Sequence, residues 1–239
     1  MTERGRSALA QTPDSFTVGP SSIRWQNDTL VIAVNEICAP LPRRLSGEIR
    51  FRPDFVQNRS FELDSNARHH WWPYAPFGTI SADFQRPALS WSGHGYADTN
   101  TGSAALEDDF SGWTWSRATV DDGTVIFYEP DERSGRQSVI AIHVDHQGRV
   151  ETYTAPPTAQ LKPGLWGIKR HTRSEIADEA KITTPFLDAP FYTRDVISII
   201  LNGKACPAVH EALNLDRFRS GWVKRLLPFR MPRRSHWPT

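Results

Sequence analysis

The chain has 239 residues, enough for one large domain or two small ones. Hydrophobic residues make up 38% and charged residues 23%, which excludes bulk disorder, and a formal net charge of +1 argues against nucleic acid as a partner. Two cysteines, Cys38 and Cys206, stand far apart without metal-ligand spacing, so no disulfide framework is expected and a reducing compartment fits.

The opening MTERGRSALAQTPDS holds no apolar stretch of signal-peptide length. From there period-two alternation dominates, and it predicts strands. Residues 29–37 form a strand after the polar turn Gln26-Asn27-Asp28, and residues 46–51 alternate again. Residues 79–84 and 88–92 read as a pair joined near Pro87. Residues 113–120 run into Asp121-Asp122-Gly123, a hairpin signal, and residues 124–128 pair back. Strands at 138–144, 164–172 and 197–202 complete the set. Many short strands at close spacing define an all-β, antiparallel barrel or sandwich with little helix. A closed barrel would leave a mouth for a ligand. Residues 207–217 are the best helix candidate, with Pro207 in the first turn. The expected division is a β region over 1–205, readable as two β subdomains, followed by a short helix and a basic aromatic tail over 206–239. No apolar run is long enough to span a bilayer; the longest, such as 196–201, fall far short. In the tail, residues 217–234 interleave Arg and Lys with Phe218, Trp222, Leu226, Leu227, Phe229 and Met231. That composition fits an interfacial membrane anchor and equally a packed extension with a solvated basic rim.

Two stretches carry the candidate chemistry. Residues 68–76 read RHHWWPYAP, a ring-rich wall suited either to ordinary packing or to an apolar pocket. On a strand His69 and Trp71 share one face. Residues 91–100 read WSGHGYADTN, with Gly93 and Gly95 permitting close backbone approach. If that stretch is extended, Tyr96 and Asp98 share a face, so an acid, a polar water-holder and two π faces could meet. Each residue alone has a plainer reading: a turn carboxylate for Asp98, core packing for the tryptophans, a carbonyl-bonded histidine for His69. Metal motifs are lacking, since His69 and His70 are adjacent, no HExxH occurs, and Asp108-Asp109-Phe110-Ser111-Gly112 lacks the third carboxylate of a prenyl-diphosphate magnesium motif. Walker, Rossmann and serine-hydrolase signatures are lacking too, which leaves a cofactor-free mechanism as the simple option.

The segment GYADTNTGSAALEDDFSGWTWSRA, with RHHWWPYAP upstream, resembles the carotenoid 1,2-hydratase (hydroxyneurosporene synthase) family, as do MTERGRSAL, residues 39–44 and LLPFRMPRR. A looser similarity extends to tocopherol cyclases. The resemblance implies a lipocalin-like fold and hydration of the terminal C1=C2 bond of an acyclic carotene such as lycopene or neurosporene. It also implies that no cofactor or metal takes part. The matching positions are Asp98 as a neutral acid, Trp71 and Tyr96 as π faces for the cation, and His69 as holder of the attacking water. Trp72, Tyr74, Trp91, Trp113 and Trp115 would line the substrate. Further β structure ahead of Met1 and an aromatic at Thr101 are also implied. The setting would be cytoplasmic, peripheral to the inner photosynthetic membrane through the tail, with no nucleic acid. Two rivals share these residues: a proton-initiated prenyl cyclase or isomerase, and a non-catalytic lipocalin-like binder of carotenoid or lipid.

Overall fold

The computed structural model describes residues 2–38, 41–226 and 231–233. Strands dominate and pair antiparallel, apart from a short parallel pair of Thr2–Arg4 with Met231–Arg233. Helix is confined to short pieces such as Leu106–Asp109, Leu215–Arg219 and Gly221–Leu226. The chain divides into two compact units, which interleave in sequence: residues 75–97 belong with the N-terminal 56, and residues 57–74 belong with 98–224.

The first unit is a seven-stranded sheet in the order Ala88–His94, Gly78–Arg86, Arg44–Pro53, Thr29–Ile37, Ser21–Gln26, Ser15–Val18, Leu9–Gln11. The Asn27-Asp28 turn, with both φ values positive, joins two of these strands as a two-residue hairpin loop. Alternation places apolar side chains on one face, so that Phe16, Ile23, Ile32, Ile49, Ala82 and Trp91 lie in one cross-strand row. Gly95 passes so near this sheet that a Cβ would come within 2.7 Å of the Phe51 ring.

The second unit holds another seven-stranded sheet, in the order Val150–Thr152, Ile140–Asp145, Gly123–Glu132, Phe110–Val120, Lys204–Asn214, Tyr192–Leu201, Lys181–Asp188. Its core lies on one face, where Ala118, Val125, Phe127, Ile197 and Ile199 pack with Leu161 from the hairpin Thr158–Leu161/Arg170–Arg173. The opposite face carries Trp113, Trp115 and Tyr128, whose strands pair in that register. A three-stranded sheet, Ala97–Gly102, His69–Ala75, Phe61–Glu62, supplies the residues that pack there.

The all-β, lipocalin-like expectation holds, and of its two forms the sandwich applies, since neither large sheet closes on itself among the described residues. Two expectations change. Residues 207–217 are not a helix: strand Lys204–Asn214 runs through most of them, and helix begins only at Leu215. Ala208, His210 and Ala212 are buried in period two, and Pro207 sits one residue beyond the pairing with Phe110–Val120, where its missing N–H costs no ladder bond. The strand read over 164–172 begins only at Arg170, because residues 164–167 form a turn closed by Gly167 N–H to Gly164 O at 2.8 Å. Of the basic tail, residues 227–230 and 234–239 lie outside the described residues. Among the described residues no helix is long and apolar enough to cross a membrane.

Candidate active site

Strand His69–Ala75 alternates as its sequence predicts: His69, Trp71, Pro73 and Ala75 are buried, and the residues between them are half-exposed. Trp71 is 0% exposed. Its indole Nε1–H donates to Asp98 Oδ2 at 2.8 Å. The indole ring meets Tyr128 edge-on at 5.3 Å and Phe61 at 5.4 Å, and Trp113 joins Tyr128 at 6.1 Å. Burial, with the charges of Asp98 and then Glu211, pushes the Tyr128 phenol far above its ordinary range. Tyr74 is also raised, by burial first and then by Asp98. Both phenols therefore stay protonated donors within the field of one carboxyl group.

His69, 1% exposed, is held on three sides. Its Nε2 lies 2.7 Å from Asp109 Oδ2, its ring packs edge-on to Phe110 at 5.1 Å, and its backbone N–H donates to Asp64. Gly102 approaches the other ring nitrogen: a Cβ there would lie 2.5 Å from Nδ1. The Asp109 pKa is lowered; burial opposes this, but hydrogen bonds and charge from His69 and Arg68 outweigh it. An ionised Asp109 makes His69 Nε2 the donor and leaves the lone pair on Nδ1.

Asp64, His69 and Asp109 each bring one donor atom within 4.8 Å of the others, the metal-ligand spacing found among the described residues. Asp64, however, accepts the N–H groups of Asn66, Arg68 and His69 and so caps its own loop, while Asp109 is taken by Arg68 and His69. The set is satisfied by protein groups.

The remaining predicted residues divide. Trp113 and Trp115 stand on the ring face of the second sheet, Trp115 directly opposite Tyr128. Trp72 turns to the half-exposed face of its strand, donates to Gln57 O at 2.8 Å and pairs with Tyr74 at 5.5 Å. Trp91 belongs to the first unit, 46% exposed on an edge strand. Tyr96 falls in the link 95–96 between strands, the last stretch of the first unit before Asp98 opens the second. Sequence reasoning missed Asp109, Tyr128, Phe61 and Gly102. Tyr128 was within reach, since it alternates in step with Ile126 on a strand already recognised.

An all-β, lipocalin-like sandwich that holds a carboxyl group on a buried indole defines the general class. Among solved structures the fold resembles CghA, both with Sch210972 (TM-score 0.52, 11% identity, 86% of this chain and 69% of that one) and without it (TM-score 0.51, 11% identity, 81% and 67%). At that identity the likeness shows the fold alone. The family model described as "Carotenoid hydratase CrtC" matches residues 1–239, and the chain belongs to that family. The acyclic carotenoid 1,2-hydratase of Thiocapsa roseopersicina is 45% identical over 234 residues, covering 98% of this chain and 58% of its own length. Those of Cereibacter sphaeroides and Rhodobacter capsulatus are 40% and 39% identical, each covering 99% of this chain and 85% of its own length. The chain thus spans less than two thirds of the Thiocapsa relative.

Proposed function

We propose that this chain is an acyclic carotenoid 1,2-hydratase, which adds water across the terminal C1=C2 bond of a carotene such as lycopene or neurosporene to give a tertiary alcohol. The relatives bearing that name support the activity and the substrate class. The observation that carries the mechanism is the 2.8 Å bond from buried Trp71 to Asp98. It makes Oδ2 an acceptor and so directs a carboxyl proton to Oδ1.

In this scheme neutral Asp98 protonates C2 as the π electrons form the new C–H bond, leaving a tertiary cation at C1. The Trp71 ring supplies π density worth about 2 kcal/mol when desolvated. Water attacks C1, and His69 Nδ1 accepts the proton that the water loses, while Asp109 stabilises the imidazolium from the other side of the ring. Return of that proton to Asp98 closes the cycle. The proton and hydroxide added are those of one water, so no cofactor is needed. The substrate is a hydrocarbon that partitions into membrane, and residues 217–234 have the composition of a peripheral anchor. We place the protein on the cytoplasmic side of the inner membrane, in contact with it and with no nucleic acid.

Asp98→Asn tests the reading, because an amide still accepts from Trp71 but carries no acidic proton. Turnover is expected to fall by about 10²–10⁴-fold with carotene binding retained. The wild-type product formed in ¹⁸O-water should carry the label. An unlabelled, cyclised or rearranged product would instead assign a cyclase or isomerase, and wild-type binding without turnover would assign a carrier.

A further inference from the structure

We propose, extending the membrane contact assigned above to residues 217–234, that the second unit docks on anionic lipid bilayers through the turn at residues 163–167 together with Trp222 of that segment. Leu165, at the tip of this turn, is 94% exposed. Trp166 and Trp222 are each more than two-fifths exposed, with ring centroids 6.2 Å apart. Exposed Phe186 and Leu187 run along an edge strand into Asp188, which holds the turn.

The turn is built rather than loose. Gly167 N–H donates to Gly164 O at 2.8 Å, and the φ of +69° at Gly167 lies in the left-handed region that favours glycine. The Asp188 carboxylate accepts the Leu165 N–H, and Gly164 lies so close to it that a Cβ would sit 2.7 Å away. The Arg217 guanidinium donates to Trp166 O and to Pro190 O. A leucine presented to solvent on a fixed scaffold contributes nothing to folding, yet it loses little entropy on inserting into another apolar phase.

Charge selects the phase. Lys162 and Lys169 flank the turn, both exposed, and Lys224 follows Trp222 with its Nζ 5.8 Å from the Phe218 ring. Asp188 faces the turn backbone rather than solvent, its Oδ2 accepting the Leu165 N–H and its Oδ1 buried, and Asp216 pairs with Arg133. An apolar tip with aromatic shoulders and a lysine rim matches acyl chains beneath anionic headgroups. Across a two-fold contact with a second copy, the same lysines would face one another.

The test is cosedimentation of the whole chain with phosphatidylcholine vesicles, with and without phosphatidylglycerol. It reads no turnover, so its outcome is independent of the hydratase reading. The wild-type chain should prefer the phosphatidylglycerol vesicles and release at high salt. Leu165→Asp should lower that partition by about tenfold or more, the worth of one leucine-sized anchor. Its thermal melt should match wild type, because the side chain packs on nothing. In a Cys38→Ser background, Leu165→Cys carrying an environment-sensitive fluorophore should shift to the blue on those vesicles. Equal binding by wild type and Leu165→Asp, a label that does not shift, or a dimer lost in Leu165→Asp without any vesicle binding would each overturn the proposal.

Discussion

Asp109 reaches the proposed chemistry only through His69, which makes it a positioning residue. Its other partner, Arg68, is 42% exposed, so that ion pair is screened and weak, and the 2.7 Å contact with buried His69 is the one that matters. Asp109→Asn can offer its amide N–H or its carbonyl to Nε2, so it no longer enforces the tautomer that leaves Nδ1 basic. The expected result is a fall in kcat of up to about 10²-fold, part of the worth of a general base, with KM little changed. Asp109→Glu should recover part of the loss. A rise in KM alone, or full activity in Asp109→Asn, would reduce Asp109 to a structural partner. Because its pKa is lowered in the fold, its contribution is complete above the ordinary carboxylate range and is lost only as pH falls through the lowered value.

The strands that carry His69 and Gly102 make a second prediction, about close packing. A methyl group at Gly102 would lie 2.5 Å from His69 Nδ1, so Gly102→Ala must displace the ring, the strand or both. Overpacking of this kind costs about 1–3 kcal/mol. Gly102→Ala should therefore melt lower and turn over more slowly, and an unchanged melt and rate would mean that Nδ1 has room to spare. This crowding was invisible in the sequence, where Gly102 stands thirty-three positions from His69 with nothing local to mark the approach. Period-two alternation was legible wherever one face is buried: it gave Thr29–Ile37, the hairpin around Asp121-Asp122-Gly123, and the shared buried face of His69 and Trp71. It misled at 207–217, where a proline and a run of helix-tolerant residues obscured an equally good alternation. Asp98 with Trp71 was found through a motif, since both lie in aromatic-rich stretches. Asp109 with His69 was not, because nothing local marks a carboxylate whose partner is forty residues away.

At the scale of the molecule, the second sheet buries polar groups among its apolar core, and this ties stability to pH. Ser116 Oγ sits 3.0 Å from His210 Nδ1 and 2.9 Å from Thr172 Oγ1, while Arg170 pairs with Asp195 and Arg173 with Glu129 nearby. His210 is fully buried, and its pKa is pushed down to about 3, by burial first and then by the charges of His171 and Arg170. The unfolded chain therefore binds a proton at this histidine between its ordinary value of 6.5 and about 3, and the folded chain does not. Stability is complete above pH 6.5 and falls as pH drops through that window, by up to about 1.4 kcal/mol per pH unit for one proton. Glu129 has a lowered pKa: burial raises it, but the hydrogen bonds and charges of His171 and Arg173 prevail, so its loss begins only at lower pH, below the ordinary carboxylate value of 4.5. Burial raises the pKa values of Asp195 and Asp131, whose proton uptake in the fold acts in the opposite direction, so the histidine is isolated by comparison with a variant that lacks it. Urea midpoints of wild type and His210→Gln from pH 6.5 to 4.5 test the argument. The variant can still bond to Ser116 but cannot titrate, so its stability should decline less steeply toward acid whatever its absolute value. Parallel slopes in the two proteins would mean that His210 takes up its proton without leaving the fold, and the buried network would then be no source of acid sensitivity.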